Sequence, residues 1–252
     1  MKNQLKITPK QLQILRLLYR FRFCTASLIA ENGNITTRTA NIQLATLLKN
    51  GFIKRHYGGI QRLNHEEAVY SLDSAGRIIL AQNSRYSRKV LEAIRTNKPS
   101  KRFTSHSLTL FSIYLSMRKE YDDELVFLTK SNLVQEKFDY LSAARLDALI
   151  SIPREKDYFF LYLLDESTPM FALTHQIAKV LSYKKAGTWQ ATTHNPFPTI
   201  ILICRTKQHE TTLRRRLRYL CREYDVEVNV VTVQLAHIEE FSFAWHQKFE
   251  SK

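Results

Sequence analysis

The sequence predicts a two-domain protein of the α+β or α/β class. Its first third has apolar residues at helical spacing followed by two short strand patterns, and its second half has strand patterns that alternate with helices. A chain of 252 residues is long enough for two domains with separate hydrophobic cores. A polar, basic stretch separates the two patterns. The predicted parts are therefore a domain over residues 1–82, a linker over 83–103 and a domain over 104–252.

Two helices are predicted at the start of the chain from their capping residues. Thr8 and Pro9 form an N-cap followed by proline at the first helical position, and the apolar stripe then continues to about Arg22. Thr25 is placed to cap a short second helix. The Asn-Gly-Asn turn at 32–34 separates this helix from a third one.

The third helix, within residues 34–51, is predicted to have one buried and one polar face. Thr36 or Thr37 is its predicted N-cap, and Gly51 is its predicted C-cap. Its apolar residues follow the i, i+4, i+7, i+8 spacing of one buried stripe, formed by Ala40, Leu44, Leu47 and Leu48. The polar face is either an ordinary solvated surface or a surface that contacts nucleic acid.

Two short strand patterns around a polar loop follow, and with the three helices they predict a winged helix-turn-helix; Asp73 then caps a further helix. In that fold the third helix lies in the DNA major groove and binds base edges, while the strands and loop bind phosphates. The expected DNA-contacting residues of the helix are Thr36, Thr37, Arg38, Thr39, Asn41 and Gln43. Those of the strands and loop, which need positive charge, are Lys54, Arg55, His56 and Arg62.

The composition favours a polyanionic partner. The chain has 38 Lys+Arg against 23 Asp+Glu, a formal net charge of +15, and we therefore expect double-stranded DNA as the partner. A membrane surface is the competing polyanion. However, no apolar run approaches the roughly 18 to 20 residues of a transmembrane helix, and the N-terminus has no signal-peptide core. The expected location is the cytoplasm.

The second half is predicted to contain helices and strands in the order αβββαβαβα. The turn at 153–156 is short enough for a hairpin between the second and third strands. Strands that alternate with helices after an initial hairpin indicate a layered α/β domain with a mixed sheet. The predicted helices cover 105–121, 169–187, 207–224 and 235–249, and the predicted strands cover 124–129, 144–152, 157–165, 199–204 and 226–233.

A second basic cluster lies on the predicted helix 207–224. Arg214 and Arg218 are one turn apart there and share a helix face. They are expected to contact a DNA backbone, unless this face is simply the solvated outer side of the helix.

Motifs along most of the chain resemble the replication-relaxation family of plasmid and mobile-element proteins, a group similar to the MobC-type mobilisation relaxases. In chain order they are ITPKQLQILRLLYRFRFCTASLI, KNGFIKR, SHSLTLFSIYL, RLDALISI, LDEST and QIAKVLSYKKAGTW. The resemblance implies a winged-helix domain followed by a nuclease-like domain, with a role in plasmid replication or DNA mobilisation. The αβββαβ order likewise resembles the core of PD-(D/E)xK nucleases, a restriction-endonuclease-like fold.

In PD-(D/E)xK nucleases, an Asp on the second strand and an acidic residue plus Lys on the third hold a divalent metal. The matching catalytic candidates here are Asp147, Asp165 and Glu166, with Asp147 and Asp165 as metal ligands and Mg²⁺ or Mn²⁺ as the cofactor. No lysine stands two residues beyond Asp165, so Lys179 on the following helix is the candidate catalytic lysine. We expect Asp147 and Asp165 to lie close together at one sheet edge, with Lys179 pointing toward them.

Two departures from the family pattern weaken the case for cleavage. Leu146 replaces the proline before Asp147, and Leu163 stands where an acidic residue is expected two positions before Asp165. A site that lacks one carboxylate binds Mg²⁺ weakly, since this cation depends on oxygen ligands. An Asp at a strand end before a Thr-Pro helix start also often only organises a turn. We therefore expect metal-dependent cleavage to be weak or absent.

These expectations lead to one favoured hypothesis and two alternatives. The favoured function is that of a DNA-binding protein of a plasmid or integrative element, which acts at a replication or transfer origin and has a degenerate nuclease-like domain. It needs no cofactor for DNA binding, and other replication or transfer proteins are candidate partners. The alternatives are a metal-dependent nicking relaxase and a transcriptional regulator. Whether the chain forms a homodimer is left open. No His-x-His pair and no P-loop is present for other mechanisms.

Overall fold

The computed structural model of the protein describes residues 7–56, 67–83, 86–94, 99–154, 157–165 and 168–238. It has the predicted mixture of helices and strands, with a two-stranded and a five-stranded sheet in the described part. The chain divides into two compact units, residues 1–115 and 116–252. The stretch predicted as a linker, 83–103, lies within the first unit.

Local capping residues start the first two helices as predicted. Helix α1, Pro9–Phe21, begins with a capping box, in which the Thr8 hydroxyl accepts from the amide of Gln11 and the Gln11 side chain accepts from the amide of Thr8. Helix α2, Ala26–Gly33, is capped by the hydroxyl of Thr25. These bonds satisfy amide groups that the first turn of a helix leaves without intrahelical partners.

Helix α3, Thr37–Lys49, has the predicted buried and polar faces. The buried residues are Ala40, Leu44 and Leu47. The prediction that Leu48 belongs to this stripe is wrong, because 37% of Leu48 is exposed. A helix turns by about 100° per residue, which places Leu48 at the edge of the buried arc rather than within it.

Strands β1, Ile53–His56, and β2, Val69–Leu72, follow α3 and pair in antiparallel fashion, as the sequence predicts. The loop between them, residues 57–66, lies outside the described residues. The prediction for Arg62 falls in this loop and is likewise outside the described part of the chain.

Two glycines of the first unit occupy positions where a side chain would be strained. Helix α3 ends at the C-cap Asn50, and Gly51, which was predicted as the cap, follows it with a φ of 69° that favours glycine. Helix α4, Ser74–Ala81, contains Gly76. A Cβ atom at Gly76 would lie 2.2 Å from the backbone oxygen of Phe52, so this helix can approach the chain before β1 only without a side chain there.

The stretch interpreted as a basic linker contains helix α5, Arg88–Ala93. Its Val90 and Leu91 are buried, so the stretch is not uniformly solvated. Helix α6, Lys101–Tyr121, starts before the predicted position 105. No described helix, α6 included, is long and apolar enough to cross a membrane.

The second unit is built on a five-stranded mixed sheet in the spatial order β3-β4-β5-β6-β7. Strand β4 is antiparallel to both β3 and β5, so β4 and β5 form the predicted hairpin, and β5, β6 and β7 run parallel. The prediction of a mixed sheet is confirmed. The strands are β3, Val126–Thr129, β4, Ala148–Ile152, β5, Asp157–Leu163, β6, Thr199–Cys204, and β7, Val230–Gln234.

Four helices of the second unit connect these strands. They are α7, Lys130–Leu133, α8, Met170–Lys185, α9, Thr188–Thr193, and α10, Lys207–Tyr224. Helices α8 and α10 were predicted, whereas the short α7 and α9 were not. The C-terminal helix predicted over 235–249 begins as a 3-10 turn, Leu235–His237, and residues 239–252 lie outside the described part of the chain.

Helices α8 and α10 pack on one face of this sheet and bury a continuous apolar core. Sheet residues such as Phe160, Tyr162 and Leu202 meet side chains of both helices there. Trp189 of α9 is buried at the same face, and its indole nitrogen donates to the carbonyl of Pro196 at 2.8 Å. Parallel strands joined by helical crossovers require such a covered face, which explains why α8 and α10 are amphipathic.

Candidate nucleic-acid interface

The outward face of α3 carries part of the residue set predicted to bind DNA. Thr37, Arg38 and Asn41 are exposed, whereas Thr39 and Gln43 are half-buried. At about 100° per residue, Gln43 lies about 140° around the helix from Arg38, toward the edge of the buried stripe. The predicted residues therefore share one helix without sharing the centre of one face.

Two of the threonines at the start of α3 are engaged in capping. The Thr36 hydroxyl accepts from the amide of Thr39 at 3.2 Å, and the two side-chain hydroxyls are 2.9 Å apart. Thr36 is thus the N-cap, one of the two positions that the sequence left open. Capping already accounts for these two residues without any contact to nucleic acid.

The centre of the outward face is formed by residues that sequence reasoning missed. Ile42 is 57% exposed, and Ala45 and Lys49 are exposed with it. Together with Arg38 they have the spacing i, i+4, i+7, i+11 of a second stripe, opposite the buried one. That spacing was present in the sequence, but apolar residues were assigned only to the core.

Strand β1 carries two exposed basic residues, Lys54 and Arg55. The third residue predicted to bind DNA on this strand is His56. Its Nε2 is 2.8 Å from the Ser71 hydroxyl, and its ring packs edge-on against Phe23. Burial, followed by the positive charge of Lys54, lowers the pKa of His56 from its usual 6.5. A lower pKa favours the neutral side chain, and the charged phosphate contact expected of His56 stays a prediction.

Asp147 of the candidate nuclease site lies immediately before β4 and is 4% exposed. Its Oδ1 accepts from Lys130 Nζ at 2.6 Å, and its Oδ2 accepts from the Leu163 amide at 2.8 Å. Strand register explains the first contact, because Thr129 is opposite Ala148 and the next residues along the two strands are Lys130 and Asp147. Lys130, which sequence reasoning did not single out, is thus a lysine that contacts Asp147.

The other members of the predicted nuclease set lie farther along the chain. Asp165 follows β5, is half-buried, and its carbonyl accepts from the Thr168 amide at 2.9 Å in a turn. Lys179 lies half-buried on α8. Glu166 lies outside the described residues. The expected proximity of Asp165 and Lys179 to Asp147 stays a prediction.

Asp147 was expected to bind a metal, and its described contacts are with protein groups. The ammonium group of Lys130, at 2.6 Å, balances the charge of the carboxylate. Within the described ranges, no three His, Cys, Asp or Glu side chains converge as a metal site would require. The chemistry of this position is therefore that of a buried ion pair.

Arg214, the first of the two arginines predicted on α10, has a partner within the protein. Its guanidinium contacts the buried Glu210 at 2.7 Å and also donates to the Thr232 hydroxyl of β7. Burial raises the pKa of Glu210, but hydrogen bonds from Thr232 and then the neighbouring cations outweigh it and lower the pKa overall. Arg218 is exposed one turn later. Arg214 therefore ties α10 to the sheet, and Arg218 is the stronger candidate for an external contact.

Comparison with known proteins identifies a family to which most of the chain is similar. A family model described as Replication-relaxation matches residues 15–195, from within α1 to the residues that follow α9. No curated protein and no solved structure shows a significant match. The matched range covers more than half of the 252 residues and includes the α3 face, β1 and the Asp147 site. On this basis the chain belongs to the replication-relaxation family.

Proposed function

We propose that the protein binds a specific site in duplex DNA through a winged helix-turn-helix formed by α1, α2, α3 and the β1–β2 pair. Membership of the replication-relaxation family suggests a role in plasmid or mobile-element replication or mobilisation, so the proposed site is a replication or transfer origin. The observation that carries the proposal is the outward stripe of α3, which starts with Arg38 and ends with Lys49, together with the exposed Lys54 and Arg55 of β1.

In this proposal, α3 lies in the major groove and reads bases with two kinds of side chain. Arg38 can donate two hydrogen bonds to a guanine, and Asn41 can pair with an adenine. Ile42 and Ala45 have no hydrogen-bonding groups in their side chains and instead fit the methyl group of a thymine. In this proposal the exposed Ile42 is a base-contacting residue.

Basic residues of β1 supply the affinity that does not depend on sequence. In this proposal the exposed Lys54 and Arg55 contact phosphates beside the groove that α3 enters. The net charge of +15 adds a general attraction to DNA, which weakens as salt rises.

We propose further that the second unit is a scaffold with a nuclease-like strand order rather than an active nuclease. The Lys130–Asp147 ion pair supports this, since Lys130 engages the carboxylate that was expected to bind a metal. Leu163, which stands in place of a further acidic residue, supports it as well.

The test begins with selection of a preferred site from a library of random duplexes. Affinity is then compared on the selected site and on a random duplex at one stated salt concentration. We expect Arg38→Ala and Ile42→Ala each to reduce discrimination by about 1 to 3 kcal/mol, because base contacts specify the site. The matched control is Arg16→Ala, which removes an exposed arginine from α1.

Arg16→Ala should leave discrimination unchanged. If Arg38→Ala lowers the affinity for both duplexes equally, α3 is not the reading helix. Selection that yields no preferred sequence would overturn the proposal as a whole.

A further inference from the structure

A groove of about 430 Å³ lies between α8 and α10 on the outer side of the second unit. Phe171 and His175 line it from α8, and Arg216, Tyr219 and Glu223 line it from α10. A second depression of about 390 Å³ shares Glu223 with it and reaches Lys185. The groove therefore continues along both helices toward their C-terminal ends.

Two aromatic rings in this groove are turned to solvent. Phe171 is 77% exposed and Tyr219 is 60% exposed, whereas the core-facing residues of the same helices, such as Leu173 and Leu217, are buried. Neither ring is needed to cover the sheet. Exposed aromatic faces that share a groove mark a surface that binds a partner with flat or apolar groups.

The charge of α10 selects among such partners. Its sequence, KQHETTLRRRLRYLCREY, has six Lys or Arg residues against two Glu. One of those Glu residues, Glu210, is buried and paired with Arg214, so the outward side is strongly positive. Arg216 brings this charge into the groove beside Tyr219. An apolar protein partner would gain nothing from this charge, whereas a polyanion would.

We propose that this groove binds single-stranded DNA, with unpaired bases stacked on Phe171 and Tyr219 and the backbone attracted by Arg216. Aromatic side chains on a basic groove are the means by which proteins hold single strands without reading sequence. A duplex does not offer the same contact, because its bases are already stacked on each other. The proposal goes beyond duplex recognition by α3, and the two surfaces have separate readouts.

The experiment measures binding of the full-length protein to a fluorescent 20-nucleotide oligothymidine by anisotropy, with the selected duplex site as the second probe. Phe171→Leu and Tyr219→Leu keep an apolar side chain but remove the stacking face. We expect each to weaken oligothymidine binding about five-fold or more, because stacking on one aromatic side chain contributes that much per base. Tyr219→Phe keeps the ring and should bind as the unmodified protein does.

Charge variants test the same groove independently. Arg216→Ala should make the salt dependence of oligothymidine binding shallower by about 0.7 in log–log slope, the loss of one phosphate contact on a single strand. The matched control is Arg215→Ala, which removes an adjacent exposed arginine that does not line the groove. Glu223→Gln removes a negative charge from the groove and should tighten binding.

Three results would overturn the proposal. The first is equal oligothymidine affinity in all variants. The second is an equal loss for Tyr219→Leu and Tyr219→Phe. The third is a change of oligomeric state in Phe171→Leu, measured by sedimentation, with oligothymidine affinity unchanged, which would make the groove an interface between copies. Each variant should bind the selected duplex with the affinity of the unmodified protein. Duplex affinity therefore tests the proposed function, and oligothymidine affinity tests the groove.

Discussion

Asp147 illustrates, at the scale of single residues, how a buried carboxylate is accommodated in this fold. It is 4% exposed, and both of its oxygens accept a hydrogen bond, from Lys130 and from the Leu163 amide. A carboxylate that leaves water loses hydration energy, which only a close cation and further donors offset. Lys130 meets this requirement from the surface, since its side chain remains 65% exposed.

Replacing Lys130 by an apolar residue of similar length should therefore destabilise the second unit. We expect Lys130→Met to lower the free energy of unfolding by about 1 to 3 kcal/mol, because the buried Asp147 loses its compensating charge. The double variant Lys130→Met, Asp147→Asn should recover part of this loss, since no charge then remains buried. Urea denaturation measures both values.

Lys179→Met is the matched control for this prediction, because Lys179 is the lysine that the sequence interpretation placed beside Asp147. It should change stability by less than about 0.5 kcal/mol, as substitutions away from such features usually do. A large loss in Lys179→Met together with none in Lys130→Met would contradict the described ion pair.

The Lys130–Asp147 contact also shows that the sequence alone could not predict which side chain pairs with Asp147. Family resemblance led to Asp147, but its partner depends on strand register, which sets Lys130 beside it. A shift of a single residue would place a different side chain there. The same limitation applied to His56, whose pKa is lowered by burial and then by the positive charge of Lys54.

Helices and strands that are marked by capping residues or by long apolar or amphipathic runs were predicted well. The caps at Thr8, Thr25 and Asp73 are present, because capping depends on residues within one turn of each other. Strand β6 and helix α10 have the predicted bounds, since long apolar or amphipathic runs leave little ambiguity. The six-residue helix α9 was missed, because so short a segment shows less than two turns of helical periodicity.

Contact between α4 and the chain before β1 depends on a single glycine. A Cβ at Gly76 would be 2.2 Å from the Phe52 oxygen, and a backbone atom cannot rotate away as a side chain can. We expect Gly76→Ala to lower the free energy of unfolding by about 1 to 3 kcal/mol, the usual range for overpacking. Thermal unfolding of the two proteins measures the change.

Gly33→Ala in α2 is the control for Gly76→Ala. Its Cβ would meet only the Ile35 side chain, at an ordinary 3.6 Å. Alanine should there be neutral or stabilising by up to about 1 kcal/mol, because it restricts the unfolded chain. Equal effects at the two glycines would show that helix propensity, rather than close packing at Phe52, determines the result.

At the scale of the whole molecule, the positive charge is divided between the two units. The first unit carries Arg38, Lys54 and Arg55 on exposed positions, and the second carries the basic helix α10. A net charge of +15 does not by itself say which of these surfaces meets duplex DNA. The salt dependence of binding distinguishes the surfaces. Each phosphate contact releases counterions and so adds to the slope of log affinity against log salt concentration.

Arg218→Ala tests whether the second unit contributes to the duplex contact. Arg214 is unsuitable for this purpose, because it neutralises the buried Glu210 and its loss would disturb the fold. We expect Arg218→Ala to make the log–log salt slope of duplex binding shallower by about 0.9, the value for one phosphate contact on duplex DNA. The double variant Lys54→Ala, Arg55→Ala should make that slope shallower by about 1.8. Affinity for the selected duplex, measured from about 50 to 200 mM salt, supplies the slopes. A slope unchanged in Arg218→Ala but shallower in the β1 variant would confine the duplex contact to the first unit and leave α10 to its groove.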